Sequence, residues 1–263
     1  MKKPYFTLLL SLCLWCNQVC ADEPKPPSEV FDLTHWKLTL PVNASGAAEG
    51  KATEIQAAEL ADGYTNTGYF YSDKKGAMVF WCPVNGATTE GSKYCRTELR
   101  EVIDPNDDDV CWPASGTHIL DARCRVSAVP SSKKVIIGQI HSYSGKAKPL
   151  IKLQFFKNRV EALVKESPNK DKDLKLTFAD VGLGNDFDYQ IKLDNGLLSI
   201  SVNDEVQSVN VYESDPQWAD QWFYFKAGSY VQDTDGPATE GGRVSFTKLM
   251  AAHSKPSTEN PKE

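Results

Sequence analysis

The segment that decides the fold is Tyr224-Phe225-Lys226-Ala227-Gly228-Ser229-Tyr230-Val231-Gln232. Successive side chains of a β-strand point to opposite faces of the sheet. As a strand, the segment places Tyr224, Lys226, Tyr230 and Gln232 on one face, and Phe225, Ala227 and Val231 on the other. Gly228 permits a bend or the close approach of a neighbouring backbone. The segment therefore predicts a sheet with a polar surface above an apolar core.

Two further segments have the same character. In Arg96-Thr97-Glu98-Leu99-Arg100 the three charged residues share a face, and in Gln139-Ile140-His141 the amide and the imidazole share a face. Together with the first segment they would gather cations, an amide, an imidazole and a phenol, which could bind and deprotonate an anionic substrate. The alternatives are a solvated ladder of ion pairs, a structural histidine and a core tyrosine.

The rest of the chain also favours strands. Further strand patterns cover 36–40, 76–82, 93–102, 117–129, 134–143, 150–156, 159–165, 187–193, 197–202, 206–212 and 242–249. Asn195-Gly196 is typical of a two-residue hairpin, and Lys157-Asn158 is a weaker case. Only 52–60 and 215–221 have a helical pattern. We therefore expect an all-β fold, a jelly-roll β-sandwich of two antiparallel sheets.

The termini differ from this body. The N-terminus has the pattern of a signal peptide: Lys2 and Lys3, then the apolar run 5–15, then residues suited to signal peptidase at Val19 and Ala21. We therefore expect a signal peptide over 1–21, cleaved after Ala21, and a secreted or periplasmic protein. Residues 22–29 form a Pro-rich leader and 254–263 a polar tail, both expected to be disordered. The domain is expected over 30–253, and no later segment is apolar for long enough to span a membrane.

The charge of the chain limits its partners. The formal net charge is −6, from 29 basic and 35 acidic residues. Cleavage of the signal peptide would remove the basic residues Lys2 and Lys3 and no acidic residue, which leaves a net charge of −8. Such a surface argues against nucleic acid as a partner. It is compatible with an acidic substrate only if basic residues are concentrated in one groove. We expect a single domain that acts as a monomer.

Four cysteines remain after the expected cleavage: Cys82, Cys95, Cys111 and Cys124. An even number in an exported protein predicts disulfides, for which three connectivities are possible. We favour Cys82 with Cys95 and Cys111 with Cys124, because each pair brackets a turn-rich segment that contains glycine. A zinc site is the alternative, but no Cys-x-x-Cys or His-x-x-x-His pair supports it. We expect neither a metal nor a cofactor.

The three polar segments resemble, in order, the signature blocks of the alginate lyases of polysaccharide lyase family seven. The flanking segments 33–41 and 244–246 agree, so the resemblance covers nearly the whole expected domain. It implies a jelly-roll sandwich with a concave substrate groove. It also implies cleavage of alginate by β-elimination at the 4-O-glycosidic bond, which leaves a 4,5-unsaturated uronate end and needs no metal.

The resemblance also implies roles for individual residues. Arg96 and Gln139 would neutralise the substrate carboxylate, and His141 and Tyr230 would transfer protons, with Tyr230 donating to the leaving oxygen. Either His141 or Tyr230 would take the C5 proton, depending on whether mannuronate or guluronate is attacked. The residues predicted to bind substrate along the groove are Glu98, Arg100, Tyr224, Lys226 and Gln232, and Glu98 would also hold the guanidinium groups in place.

Ile140, between Gln139 and His141, suggests through the same resemblance a preference for guluronate-containing blocks.

Three rival functions remain at this point. A glycoside hydrolase would need two carboxylates about 5–9.5 Å apart, whereas Glu98 is the one central acid of these strands. A non-catalytic carbohydrate-binding module would show aromatic platforms without an aligned base and acid. A lyase for another polyuronate, such as glucuronan, is compatible with the same residues.

Overall fold

The computed structural model describes residues 24–143 and 148–254. The predicted signal peptide, the first two residues of the leader and the tail beyond Ser254 lie outside these residues. Two antiparallel sheets make up the described chain, and this confirms the all-β, jelly-roll expectation. The leader is partly ordered, contrary to expectation, because Pro27–Glu29 forms a 3₁₀ helix in which Pro27 is buried.

The first sheet has nine strands. Its order is β11-β10-β9-β8-β15-β5-β1-β2, and β6 pairs with β15. The bounds are β1 Trp36–Thr39, β2 Glu54–Ile55, β5 Arg96–Glu101, β6 Trp112–Pro113, β8 Lys134–Ser142, β9 Ile151–Phe156, β10 Arg159–Lys165, β11 Asp173–Asp180 and β15 Trp222–Val231.

The second sheet has seven strands in the order β14-β13-β12-β7-β16-β4-β3. The bounds are β3 Phe70–Ser72, β4 Met78–Pro83, β7 Thr117–Ala128, β12 Asp186–Asp194, β13 Leu197–Val202, β14 Glu205–Asn210 and β16 Gly241–Ser254. Buried and less buried residues alternate along β7 and β12. This period of two is typical of a sheet with one face on the core and one in solvent.

Helical structure is sparse in the described residues. Helix α1 is Ala57–Ala61, α2 is Val211–Ser214, and Pro216–Asp220 forms a 3₁₀ helix. The helical patterns at 52–60 and 215–221 thus correspond to shorter elements. Among the residues described, none of these helices has the length and apolar character that crossing a bilayer requires.

Both predicted hairpin turns are present. Asn195 and Gly196 have φ values of 48° and 90°, and Lys157 and Asn158 have φ values of 50° and 63°. Positive φ at both central residues is the geometry of the two-residue turn whose twist matches the flanking strands. These turns join β12 to β13 and β9 to β10. Strands β2, β3, β6 and β11 were not predicted.

The apolar faces of the two sheets form one large core in the described residues, and Cys82, Cys95 and Val231 form a small second cluster. Phe80 stands edge to face with Phe70 and with Phe246, at centroid separations of 5.2 and 5.5 Å. Ile140 and Phe225 are fully buried in the same core. The apolar positions of the segments that contain them therefore point inward, as the alternation predicts.

The topology places the three polar segments on adjacent strands. Strand β15 lies between β8 and β5, so the segment around Tyr230 is flanked by the other two. Gly228 adopts a φ of 150°, and a Cβ at this position would lie 2.5 Å from the carbonyl oxygen of Thr97. The pairing of β15 with β8 also shifts register between Ala227 and Tyr230. Glycine thus allows the close contact between β15 and β5 at this irregularity.

Candidate active site

An open groove of about 850 Å³ lies over the polar face of the first sheet. Its lining contains eight lysines and arginines against five acidic residues. This local excess of positive charge contrasts with the net charge of −6 for the whole chain. An acidic protein can therefore present a cationic surface to an acidic polymer, because the basic residues are concentrated in one groove.

The register of the strands aligns the predicted site residues across the sheet. Lys226 on β15 lies opposite Arg100 on β5 and opposite Gln139 on β8. In the same way Tyr230 pairs with Arg96, and Tyr224 pairs with His141. Directly opposed residues in antiparallel strands lie side by side on one face. All the predicted site residues except Glu98 line the groove: Arg96, Arg100, Gln139, His141, Tyr224, Lys226, Tyr230 and Gln232.

Glu98 is fully buried and lies beneath the groove. Arg96 Nη1 and Lys226 Nζ lie 3.1 and 2.8 Å from its Oε2, and Gln139 Nε2 donates to its Oε1 over 2.6 Å. A side chain with no exposed surface cannot contact the substrate in this conformation, so the predicted substrate-binding role does not fit. Glu98 instead holds three groove residues in fixed positions.

The charges within this buried cluster shift each other's pKa values. Burial acts to raise the pKa of Glu98, but the charges of Lys226 and Arg96 outweigh it, and the pKa is lowered. Burial and the neighbouring Arg96 lower the pKa of Lys226 to about 8, against the opposing effect of Glu98. Near neutral pH the cluster therefore holds two cations and one carboxylate, with net positive charge facing the groove.

His141 is set up as a neutral imidazole. Its Nδ1 lies 2.8 Å from the carbonyl oxygen of Ser142, which can only accept, and 3.1 Å from the Tyr224 hydroxyl, which can donate or accept. Because the carbonyl contact is the shorter one and needs a donor, we assign the proton to Nδ1. Burial and the charge of Lys226 lower the pKa of His141 to about 4. The ring also stacks on Tyr224 at a centroid distance of 5.2 Å. In this tautomer Nε2 keeps its lone pair, as a proton acceptor requires.

Tyr230 is surrounded by groups that fix its phenol ring. The guanidinium carbon of Arg96 lies 3.8 Å from the ring centroid, and Tyr94 stands edge to face with the ring. Ser92 Oγ lies 3.3 Å from the Tyr230 hydroxyl, and it accepts a hydrogen bond of 2.8 Å from Arg96 Nη2. Sequence reasoning missed Ser92 and Tyr94. Ser92 lies in the connection that precedes β5, outside any strand pattern, whereas Tyr94 falls within the predicted strand 93–102 on the face of Arg96 but was not singled out.

The acidic segment between β5 and β6 closes one side of the groove. Asp108 forms ion pairs with Lys37 and, at 3.7 Å, with Arg100, and Asp109 accepts from Tyr143. The guanidinium carbon of Arg100 also lies 4.2 Å from the centroid of the Tyr224 ring. The carboxylates of this segment thus balance cations of the groove. Within the described ranges, no cluster of three or more His, Cys, Asp or Glu side chains is suited to a metal.

The two predicted disulfides are wrong for this structure, in which all four cysteines are free. Cys82 and Cys95 are neighbours, with their sulfurs 3.6 Å apart, but a disulfide requires about 2.05 Å. Cys124 lies in the core on β7, whereas Cys111 lies near Arg100 in the segment before β6. Burial raises the pKa of Cys82 and of Cys124, which keeps both as unreactive thiols.

The pKa values of His141 and Lys226 predict the pH dependence of activity. Below about pH 4 His141 becomes protonated and loses its lone pair, and above about pH 8 Lys226 loses the charge that attracts a carboxylate. We expect kcat/KM on a uronate oligosaccharide to fall on both sides of this window. A kcat/KM that stays constant well above pH 8 would show that the charge of Lys226 is not needed.

The chain matches known proteins over most of its length. The family model described as alginate lyase matches residues 31–253. An alginate lyase from Klebsiella pneumoniae is 27% identical, over 94% of this chain and 97% of that protein. Among solved structures, alginate lyase A1-II′, a member of polysaccharide lyase family 7, is 36% identical with a TM-score of 0.80, covering 88% of this chain and 99% of that one.

An alginate lyase from Pseudomonas aeruginosa is also similar, with 39% identity and a TM-score of 0.77 over 85% of this chain and 100% of that one. These matches cover the sheets that carry the groove. They agree with the resemblance found in the three polar segments, whose residues the structure places side by side. The chain belongs to the alginate lyases of polysaccharide lyase family 7 and is therefore a polysaccharide lyase.

Proposed function

We propose that this protein cleaves alginate by β-elimination at the 4-O-glycosidic bond. The observation that carries the proposal is the alignment of Arg96, Gln139, His141 and Tyr230 on three adjacent strands, over a buried carboxylate that fixes two of them. Variants of alginate lyase A1-II′ have been solved with a GGG product and with a GGMG substrate. A substrate of the same class suits the cationic groove of this chain.

The difficult step is the removal of the C5 proton, because the adjacent carboxylate is already negative. Arg96 and Gln139 bind this carboxylate, and Lys226 adds a positive charge beside Gln139. These donors stabilise the enolate-like dianion that forms when the C5–H bond breaks. Glu98 keeps them in place before the substrate arrives, so little reorganisation is needed during the reaction.

The electron pair released from C5 then forms the C4=C5 double bond as the C4–O4 bond breaks. Tyr230 donates its proton to the leaving O4, so that the departing sugar ends in a hydroxyl group. For guluronate we assign the C5 proton to His141 Nε2. For mannuronate we assign it to Tyr230, which would enter as a phenolate, take the C5 proton and pass that same proton to the leaving O4. We also propose that the signal peptide makes this protein an exported enzyme. The enzyme prefers guluronate, as Ile140 suggests.

A panel of polysaccharides tests the proposal. Incubation of the protein with alginate, polyguluronate, polymannuronate and glucuronan should increase ultraviolet absorbance from the conjugated uronate product with the alginate substrates, and most with polyguluronate. Absorbance that rises with glucuronan alone would indicate a different polyuronate. Binding without absorbance on any member of the panel would favour a non-catalytic carbohydrate-binding module.

A further inference from the structure

A second group of cations lies in the same groove, beyond the residues assigned to the reaction. Lys152 on β9 pairs directly with Gln139 on β8, and Lys165 ends the next strand, β10. Lys148 precedes β9, and all three lysines line the groove. The row of opposed residues Arg100, Lys226 and Gln139 thus continues outward to Lys152. A polymer that crosses the strands along this row would reach these lysines next.

As a group, the three lysines carry more positive charge than the two carboxylates paired with them neutralise. Lys165, whose side chain is 4% exposed, forms ion pairs of 2.7 Å with Asp171 and with Asp173. Within the described chain, Lys148 and Lys152 form no ion pair within 4.0 Å. Burial and the charges of Lys165 and Lys148 lower the pKa of Lys152, while the carboxylates of Asp173 and Asp171 act in the opposite direction. Crowded ammonium groups of this kind attract a further anion.

Asp171 already places one carboxylate among them. It lies between β10 and β11, its side chain is 79% exposed, and it contacts Lys165. Its pKa is lowered by the hydrogen bond and the charge of Lys165, and also by Lys148 and Lys152. An ion pair with such an exposed partner is weak and can exchange with a carboxylate from solution. Asp173 is less exposed, at 29%, and continues to balance Lys165 when Asp171 leaves.

We propose that Lys148, Lys152 and Lys165 form an outer subsite for a uronate carboxylate, which Asp171 occupies in the free enzyme and a substrate carboxylate displaces. The inference rests on the proposed function, since the ligand is a unit of the same polyuronate chain. The subsite binds a sugar outside the cleaved linkage. It therefore affects the affinity for longer oligosaccharides and the position of cleavage, while the chemical step stays with the central residues.

Defined uronate oligosaccharides of three and six units test this subsite. In Lys152→Gln, which removes the charge but keeps a polar side chain, we expect kcat/KM on the hexamer to fall about tenfold and on the trimer to change much less. The dominant cleavage position in the hexamer should also move. In Asp171→Asn we expect KM for the hexamer to fall, because the competing carboxylate is gone. Lys192→Ala, on β12 of the other sheet, is the control and should match the wild type.

An equal loss of kcat/KM on the trimer and on the hexamer in Lys152→Gln would overturn the inference, since it would indicate a general effect on the site. An unchanged or increased hexamer KM in Asp171→Asn would also overturn it. Failure of the proposed function looks different, because no variant and no wild-type sample would then generate unsaturated product from either oligosaccharide.

Discussion

Replacing Tyr230 by phenylalanine should remove elimination activity while leaving substrate binding intact. The change deletes the one hydroxyl assigned to protonate the leaving oxygen, and the ring keeps its contacts with Arg96 and Tyr94. A proton-transfer group of this kind contributes about 10²–10⁴-fold to rate, so kcat should fall by that factor. Absorbance assays give the rate, and calorimetry with an alginate oligosaccharide gives the affinity.

Tyr71→Phe provides the matched control, because Tyr71 lies on β3 of the second sheet. It should retain wild-type kcat and KM. If Tyr230→Phe kept most of its kcat, the hydroxyl would not be the acid. If it instead lost affinity together with rate, Tyr230 would be a binding residue, and another group would have to protonate the leaving oxygen.

Glu98→Gln should lower both activity and stability, although Glu98 has no exposed surface. The substitution leaves Arg96 and Lys226 without their shared carboxylate, and breaking a buried ion pair costs about 3–5 kcal/mol of unfolding free energy. Misplaced groove residues should lower kcat by about 10²-fold. Because Glu98 acts to raise the pKa of Lys226, its loss should also move the alkaline limb of the pH profile to lower pH.

The pH shift separates a positioning role from a general loss of stability. Glu161→Gln is the control, because Glu161 is another buried glutamate of the first sheet, where it pairs with Lys175 at 3.5 Å. We expect it to lower the urea midpoint while kcat and the alkaline limb stay unchanged. Equal kinetic effects in both variants would contradict the assigned role of Glu98.

The sequence predicts this site well where strand alternation applies. Tyr224, Lys226 and Tyr230 lie on the polar face as the period of two requires, and Ile140 and Phe225 lie in the core. Alternation assigns a face but cannot show how far a side chain on that face is buried. Glu98 was therefore expected to touch substrate, whereas Arg96, Lys226 and Gln139 cover it.

Features that depend on long-range assembly were not predicted. Ser92 meets Tyr230 across 138 residues of sequence, from a connection without periodic pattern. The disulfide prediction was wrong for a related reason, since the number of cysteines does not show in which sheet each thiol lies. Cys124, for example, lies in the core. Lys152 and Lys165 were not recognised as part of the groove, because only the order β10-β9-β8-β15 brings Lys152 beside Gln139 and Lys165 to the same groove.

The most direct test of the central claim compares two kinds of chain end in one alginate digest. Elimination breaks the C4–O4 bond without water, so each cleavage creates one unsaturated uronate end together with one reducing end. We predict equal numbers of the two ends throughout the digest, measured by ultraviolet absorbance and by a reducing-sugar assay. Reducing ends that accumulate without matching unsaturated ends would show hydrolysis and would contradict the account.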